Sequence, residues 1–316
     1  MRSLLFGLAL AACNGETDRE DSDASWIPSG WSEGAALLEP LQEDAVVALD
    51  ERVVVIGGIG ASLATETRVE AYDPTSDSWT SLASLPIAVH HVNAAVLGDR
   101  IYVLGALWPN FDALGDTWIY DLNTDSWDAG ASMPEGTERG GGAAVALDDR
   151  IHVLGGLRGG EEVAQHSVYD PQTDSWSEET AMPTPRDHLA AGVIDGVIYV
   201  VGGRNGSITG HYDIVEAWDG SWSTGTPMPT SRGGIAAAVL EGRLHVFGGE
   251  GADNERGVFD EHEAYDPVSD RWETLEPMPT PRHGTGAATF GGQVWIPGGA
   301  DQAAFGAVSS NEAYAP

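Results

Sequence analysis

The chain has 316 residues, of which 42% are hydrophobic and 41 are glycine. Its formal net charge at pH 7 is −34, and all 15 basic residues are arginine. A surface this acidic repels phosphate backbones and anionic lipid headgroups, which argues against nucleic-acid binding and against membrane binding through headgroups.

The first residues have the pattern of an export signal. A basic residue, Arg2, precedes an apolar run that ends at Leu10, and this run is too short to cross a membrane as a helix. Small residues follow it. We therefore expect residues 1–12 to be a signal peptide that is removed from the mature protein.

Leu10-Ala11-Ala12-Cys13 resembles the bacterial lipobox, in which cleavage precedes a cysteine that receives lipid. The resemblance predicts lipidation of Cys13, and with Asn14 next in the chain it implies an envelope lipoprotein of the outer membrane. The alternative is a plain signal peptide with an incidental cysteine. Cys13 is the only cysteine, so no internal disulfide can form. Residues 13–30 are polar and acidic, which is typical of a flexible tether.

The rest of the chain, residues 31–316, is an internal repeat with two landmarks. One landmark is a glycine pair after an apolar run, and the other is a tryptophan. The distance from tryptophan to the next first glycine is 26 residues in five of six copies, as from Trp31 to Gly57, and 28 between Trp127 and Gly155. Constant spacing indicates a packed core. The first glycines are Gly57, Gly105, Gly155, Gly202, Gly248 and Gly298, and the tryptophans are Trp31, Trp79, Trp127, Trp176, Trp222 and Trp272.

Each copy predicts four strands. Residues 189–194 and 197–201 are two apolar runs separated by a turn, and the second leads into a glycine pair. Residues 69–72 are typical of a third strand, and Asp73-Pro74 begins a turn before a fourth strand at the tryptophan. The sequence therefore predicts an all-β fold.

The order of glycine pair, Tyr-Asp-Pro turn, tryptophan and Met-Pro-x-x-Arg resembles the kelch motif, as in Met182 to Arg186. A kelch repeat of about 50 residues forms one propeller blade. Six copies imply a six-bladed kelch-type β-propeller with four strands per blade. The last copy ends at Pro316 without a tryptophan, so we expect the strand near Trp31 to complete the last blade and close the ring.

The loops before the first strand and after the second strand share one face in this topology, and the central channel opens there. Fourteen residues before each first glycine, three blades carry glycine and three carry polar side chains. We predict that this face binds the ligand, with arginines that suit a carboxylate. The candidate ligand-binding residues are Glu43, His91, His188, Arg139, Arg158, Arg186, Arg204, Arg232, Arg256, Arg282 and Trp108.

The arginines after Met-Pro have a second interpretation, because arginine is part of the kelch consensus there and can join neighbouring blades. Two histidines and a carboxylate could also bind a metal ion. His91 and His188 belong to non-adjacent blades, however, and we expect the distance between them to be too great. We predict no metal, no cofactor and a monomeric chain.

The kelch resemblance implies a non-catalytic binding module, whose ligand is an envelope or extracellular protein, a peptide or a carboxylate-bearing small molecule. The alternative is an enzyme, because exported bacterial kelch proteins that interconvert sialic-acid anomers are also six-bladed and use arginine and acidic side chains. Glu43 or Glu250 would then act as acid or base. A copper oxidase of the galactose-oxidase type has less support, because its cofactor needs a cysteine linked to a tyrosine, and Cys13, the only cysteine, lies in the expected signal region.

Overall fold

A computed structural model describes residues 29–316 of the chain. The predicted signal peptide, Cys13 and most of the predicted tether lie outside the described residues. The described residues form six antiparallel sheets of four strands each, and two further pairs of two-residue strands lie at loops. Within residues 29–316 there is no helix long and apolar enough to cross a membrane.

The first strand belongs to the last blade, and blade 1 follows it. Blade 1 has the strand order β3-β4-β6-β7, and the short strands β2 and β5 pair beside it. In chain order these elements are β1 (Gly30–Glu33), β2 (Leu41–Gln42), β3 (Ala45–Leu49), β4 (Arg52–Ile56), β5 (Ile59–Gly60), β6 (Val69–Asp73) and β7 (Ser78–Ser81).

Blades 2 and 3 repeat the plan with two variations in the hairpin between their second and third strands. In blade 2 this hairpin is long, and in blade 3 a small extra ribbon, β14-β15, follows the second strand. Their strands are β8 (Ala94–Leu97), β9 (Arg100–Leu107), β10 (Ala113–Asp121), β11 (Ser126–Gly130), β12 (Ala143–Leu147), β13 (Arg150–Leu154), β14 (Leu157–Arg158), β15 (Glu161–Glu162), β16 (His166–Asp170) and β17 (Ser175–Glu178).

Blades 4 and 5 each have four consecutive strands, whereas blade 6 takes three strands from the end of the chain. The strands are β18 (Ala190–Ile194), β19 (Val197–Val201), β20 (Val215–Trp218), β21 (Trp222–Thr224), β22 (Ala236–Leu240), β23 (Arg243–Phe247), β24 (His262–Asp266), β25 (Arg271–Thr274), β26 (Ala288–Phe290), β27 (Gln293–Pro297) and β28 (Asn311–Ala315).

The ring closes as the sequence predicts. The sheet order of blade 6 is β1-β28-β27-β26, and β1 pairs antiparallel with β28 so that Trp31 lies opposite Tyr314. The two ends of the described chain therefore share one sheet, and blade 6 has four strands like the other blades. The prediction of a six-bladed propeller closed by the strand at Trp31 is confirmed.

The repeated tryptophans join each blade to the blade before it. In every blade the indole Nε1 donates a hydrogen bond of 2.7–3.1 Å to a backbone carbonyl four residues after the tryptophan of the preceding blade. Trp79 donates to Ala35, and Trp31 donates to Glu276. Because β1 supplies Trp31, the circle of six indole bonds is complete.

The glycine pairs form a second repeated contact between neighbouring blades. In the five blades that have a glycine pair, the second glycine donates its N–H to a backbone carbonyl of the next blade, as Gly156 does to Arg186 at 3.0 Å. The acceptor lies sixteen residues before the first glycine of that next blade. A Cβ on Gly155 would lie 2.6 Å from the same carbonyl oxygen, and both glycines have positive φ. Only glycine combines this backbone conformation with this close approach.

The inner strands surround a central channel of about 420 Å³, lined mainly by alanine and valine. Apolar side chains fill the interfaces between adjacent blades; Ile56 and Val54 of blade 1 pack with Val103 of blade 2, for example. The core is therefore a ring of interfaces around the channel, and the loops at one channel mouth form the candidate site.

Candidate functional site

Six backbone hydrogen bonds form a closed ring at the channel mouth. At the position fourteen residues before each first glycine, the N–H of every blade donates to the carbonyl of the preceding blade, over 2.5–3.0 Å. His91 donates to Glu43 in this way, and Glu43 donates to Gly284. We call this the mouth ring, and its members are Glu43, His91, Gly141, His188, Gly234 and Gly284.

The mouth ring requires a left-handed backbone at all six positions. The three glycines have φ of 63–67°, and Glu43, His91 and His188 have φ of 54°, 51° and 51°. Residues with a Cβ are unfavourable in this region. Three side chains are thus retained against a local backbone preference, which is a pattern associated with functional sites.

The three ring side chains meet at the centre of the mouth. The Nε2 atoms of His91 and His188 are 3.0 Å apart, and Oε2 of Glu43 lies 3.3 Å from the first and 4.0 Å from the second. The expectation that the two histidines are too far apart for a shared ligand is therefore wrong. The chain spacing of repeats does not record how narrow the channel is at its mouth.

Two ring glycines lie beside these side chains. Gly141 lies between the two histidines in the ring, and a Cβ there would lie 3.4 Å from Cδ2 of His91 and 3.8 Å from Cε1 of His188. A Cβ on Gly284 would lie 2.5 Å from Oε1 of Glu43. The absence of a side chain at Gly284 therefore makes room for the Glu43 carboxylate, whereas a Cβ on Gly141 would make ordinary van der Waals contact with both imidazoles.

The residues just before the ring orient the histidines. The Nδ1 of His188 contacts the carboxylate of Asp187, so this nitrogen carries the proton and Nε2 is left as the acceptor. The Nδ1 of His91 lies 2.6 Å from Nδ1 of His90. Both Nε2 atoms are thereby held toward the centre of the mouth.

One arginine reaches this cluster. Nη2 of Arg204 donates to Nε2 of His188 over 2.9 Å, and the same guanidinium binds Asp187 and Glu250. Nδ1 of His283 lies 3.8 Å from Glu43 and 3.6 Å from Glu250. The mouth thus has three carboxyl groups for one permanently charged cation, and Arg204 is already paired with two of them.

Burial and neighbouring charge set the protonation of this cluster. Burial lowers the pKa of His91 to about 3, and it also lowers the pKa of His283. Burial opposes ionisation of Glu43, but His91, His188, His283 and Arg204 outweigh it and lower the pKa of that carboxyl to about 2. At neutral pH, Glu43 is therefore a carboxylate beside the neutral imidazoles of His91 and His283.

A cavity of about 170 Å³ lies over the ring side chains on the loop side. Glu43, His91, His188, Arg204 and Glu250 form its polar floor, and Phe111, Ile208 and Phe305 form an apolar rim. The three rim side chains are 37–42% exposed. A smaller space of about 80 Å³ lies beneath the same ring side chains, toward the channel.

The four arginines after Met-Pro do not reach this cavity. Arg139, Arg186, Arg232 and Arg282 are at most 1% exposed. Their prediction as ligand-binding residues is corrected, because their guanidinium groups are bound inside their own blades. Arg186, for example, pairs with Glu216 at 2.5 Å and donates to Val200, while its own carbonyl accepts from the preceding blade. These arginines are therefore structural, but their side chains stabilise their own blades instead of joining neighbouring ones.

The other predicted residues lie farther from the cluster. Arg158 donates to the carbonyl of Gly136, and Arg256 pairs with Asp301 at the surface. Trp108 is 40% exposed on the blade 2 hairpin but does not line the cavity. Of the eleven candidates, the structure brings together Glu43, His91, His188 and Arg204.

Sequence reasoning missed several residues of the site. Asp187, His90 and His283 occupy the column directly before the mouth ring, where two blades have glycine instead. The same comparison of blades that finds Glu43 would have found them. Phe111 and Ile208 each lie six residues after the first glycine of their blade, and Phe305 lies seven residues after its own, so this comparison would also have marked the rim.

A ring of six four-stranded antiparallel blades around a channel, with its site at one mouth, defines a six-bladed β-propeller. Residues 44–225 match the sequence model of the KLHDC2/KLHL20/DRC7 Kelch-repeats domain, which is more than half of the chain. The chain belongs to the kelch-repeat family.

Curated relatives agree with this assignment. The chain is similar to Kelch-like protein terF of Aspergillus terreus, with 35% identity over 179 residues that cover 52% of this chain and 39% of the relative. Kelch-like protein 35 of Mus musculus is 30% identical over 173 residues, or 55% of this chain and 29% of the relative. The chain thus matches well under half the length of these relatives.

Among solved structures, the chain resembles the one titled "Structure of YjhT", with a TM-score of 0.77 and 16% identity. The match covers 89% of this chain and 96% of the other. At this identity the likeness shows the fold alone. Kelch-repeat propellers are typically protein-binding modules, which is consistent with a protein-binding role here.

Proposed function

We propose that this protein is a binding module that holds a segment of a protein or peptide in the cavity over the mouth ring. The observation that carries the proposal is the apolar rim around a buried polar floor. Single exposed apolar side chains are ordinary on a protein surface, but their clustering in one patch marks an interaction site. Among residues 29–316 only seven large apolar side chains are exposed, and Phe111, Ile208 and Phe305 meet at this cavity.

The rim and the floor select for one kind of occupant. A cavity of about 170 Å³ is smaller than the ~300–1,000 Å³ of typical small-molecule sites, and it has room for one large side chain. An apolar or aromatic side chain would pack against Phe111 and Phe305, and its backbone would cross the mouth. Small central clusters of this type dominate binding energy in protein interfaces.

The arginines give less support for capture of a carboxylate than their number in the sequence implies. Four are buried in the blades, and Arg204 is bound to Asp187 and Glu250. A free carboxylate would have to displace one of these acids. No contact in residues 29–316 adds weight to the sugar-anomer enzyme, so the binding module is the function we propose.

A phage-displayed random peptide library is the probe for this proposal. We expect selection on the folded protein to enrich peptides with an aromatic or large aliphatic residue at one fixed position. Phe111→Ala and Phe305→Ala should each weaken the enriched peptides by at least about tenfold, since an anchor of this kind contributes more than about 1.4 kcal/mol. Val268→Ala is the matched control, because Val268 is 88% exposed and lies away from the mouth. Peptides that bind equally well to the rim variants would refute the proposal.

We further propose that the module is displayed at the cell envelope through lipid on Cys13. The support is the Leu10-Ala11-Ala12-Cys13 pattern and the acidic residues that follow it. Expression in a bacterial host with radiolabelled palmitate should label the wild-type chain and leave Cys13→Ala unlabelled. Equal labelling of both chains, or of neither, would rule out this anchor.

A further inference from the structure

We propose that Glu43, His91 and His188 form a binding site for one divalent transition-metal ion. Their three ligand atoms face one point at the channel mouth, and no other group of three or more such residues within residues 29–316 comes together in this way. The inference does not rest on the proposed peptide-binding function, because it concerns the metal ion alone.

The distances between the ligand atoms fit a shared ion. Two nitrogen or oxygen ligands that are each ~2.1 Å from one metal, at tetrahedral or octahedral angles, lie ~3.0–3.4 Å apart. The His91–His188 and His91–Glu43 distances are 3.0 and 3.3 Å, and the third edge is 4.0 Å. A small rotation of the Glu43 carboxylate would shorten this third edge.

The histidines also have the supporting contacts that metal ligands need. A ligating imidazole usually donates its second N–H to a carboxylate or another acceptor, which fixes the ring and exposes the lone pair of the first nitrogen. Asp187 accepts from Nδ1 of His188, and His90 lies against Nδ1 of His91. The two Nε2 atoms lie 3.0 Å apart, which is close enough for both to bind one ion.

The chemistry of the set indicates the class of metal. Two imidazoles and one carboxylate suit zinc, nickel, copper or ferrous iron and are a poor set for magnesium or calcium, which prefer oxygen ligands. Three protein ligands leave at least one coordination position open. The cavity of about 170 Å³ borders all three residues, so a further ligand could reach the ion from the loop face.

Arg204 provides a test that a general loss of structure cannot mimic. Its guanidinium lies 2.9 Å from Nε2 of His188, where its positive charge opposes a cation. Removing that charge should strengthen metal binding, whereas removing a ligand should weaken it. Tighter metal binding in the Arg204 variant, together with weaker metal binding in the His188 variant, would place the ion beside the Nε2 atom of His188.

The experiment is isothermal titration calorimetry of the chelator-treated protein with Zn²⁺, together with the visible absorption of bound Co²⁺. We expect one ion per chain for the wild type. His91→Ala, His188→Ala and Glu43→Gln should each weaken Zn²⁺ by more than about 100-fold, and Asp187→Asn by about 10–100-fold. Arg204→Met should bind Zn²⁺ about tenfold more tightly.

The matched control is His211→Gln, because His211 is a histidine of the same face whose Nε2 lies by the Ile208 carbonyl rather than in the cluster. Its affinity should equal that of the wild type, and circular dichroism should show that every compared variant is folded. If Zn²⁺ does not bind at one ion per chain, or if the folded His91, His188 and Glu43 variants bind it as well as His211→Gln does, the site does not exist.

Discussion

At the scale of single residues, the mouth ring shows how a functional side chain can conflict with its own backbone. All six ring positions have positive φ, and three of them hold glycine. Glu43, His91 and His188 hold the same conformation with a Cβ, at a cost of about 1–2 kcal/mol each. The chain therefore accepts local strain where polar atoms must meet.

Because of this strain, we expect glycine to give a more stable protein than alanine at a position of the mouth ring, which is the reverse of the usual order. His188→Gly and His188→Ala lose nearly the same side-chain contacts, but only alanine keeps the unfavourable Cβ. We expect His188→Gly to have a free energy of unfolding about 1 kcal/mol higher than His188→Ala, measured by urea denaturation with a chelator present.

The control is the same pair of changes at Thr80, an exposed residue of β7 with ordinary strand conformation. There glycine should be less stable than alanine by about 0.5–1 kcal/mol, because glycine loses more backbone freedom on folding. If alanine is the better residue at both positions, the ring is not strained.

The repeats also explain which residues could be predicted from the sequence. Comparison of blades identifies Glu43, His91 and His188 because they replace glycine in an otherwise repeated column. The same comparison should have set aside Arg139, Arg186, Arg232 and Arg282, because a residue that recurs in four blades serves each blade. The meeting of His91 with His188 could not be predicted, since it depends on the width of the channel mouth.

At the scale of strands and loops, a departure from the repeat builds part of the cavity. Blade 2 has Gly105-Ala106 in place of a glycine pair, and Ala106 keeps a strand conformation. The strand β9 therefore continues to Leu107 and pairs with a long β10. Phe111 at the tip of this hairpin packs against His90 and lines the cavity. The substitution is visible in the sequence, but the direction of the hairpin is not.

Two strand pairs carry buried histidine couples at equivalent places. His152 lies 2.8 Å from His166 in blade 3, and His245 lies 2.9 Å from His262 in blade 5. Burial lowers the pKa of His152 and His245 to about 4 and of His166 and His262 to about 3. All four are neutral in the folded protein at neutral pH.

These couples predict that the protein loses stability in mild acid. Between pH 6.5 and about 4 the unfolded chain binds protons at these four histidines that the folded chain does not bind, so the free energy of unfolding falls as pH falls. Each histidine contributes about 1.4 kcal/mol per pH unit in that interval. Urea denaturation between pH 5 and 6.5 measures the slope.

A double change, His152→Gln with His166→Asn, tests the origin of the slope. It should reduce the dependence on pH by about 2–3 kcal/mol per unit, whereas His211→Gln, at a partly exposed position, should leave the slope unchanged. An unchanged slope in the double variant would show that the buried couples do not titrate as proposed.

At the scale of the whole molecule, the ring is held by repeated contacts that cross from blade to blade. The indole bonds of six tryptophans and the backbone bonds of the mouth ring are both closed circles. Four of the six blade interfaces join segments that follow each other in the chain, whereas the interface between blades 6 and 1 packs Ala288 and Trp295 with Val46. The interface between blades 5 and 6 includes β1, whose Trp31 packs against Phe247 and His262 of blade 5.

The number of blades and the closure of the ring could be predicted because both follow from the number and spacing of the repeated tryptophans and glycine pairs. The period from Trp31 to Trp79 equals that of a normal copy, and the last copy lacks a tryptophan, so one strand had to come from the N-terminal side. The pairing of β1 with β28 follows from these two facts. The apolar rim has a weaker basis of the same kind, because Phe111 and Ile208 share the position six residues after the first glycine, but spacing does not record that these side chains face one cavity.

Closure predicts where the molecule is weakest. Deletion of residues 26–40 removes β1 and the buried Leu37, and leaves β28 as an open edge. We expect the Tm to fall by more than about 10 °C, because loss of the buried Leu37 costs about 2–5 kcal/mol, the partly buried Trp31 and the β1–β28 pairing are lost with it, and a domain of this size loses about 2–4 °C per kcal/mol. Deletion of residues 14–25 is the control and should leave the Tm unchanged.

Hydrogen exchange of the longer deletion should rise first in β28 and β25, the strands on either side of the seam. A chain without residues 26–40 that melts like the wild type would mean that the ring does not depend on this strand.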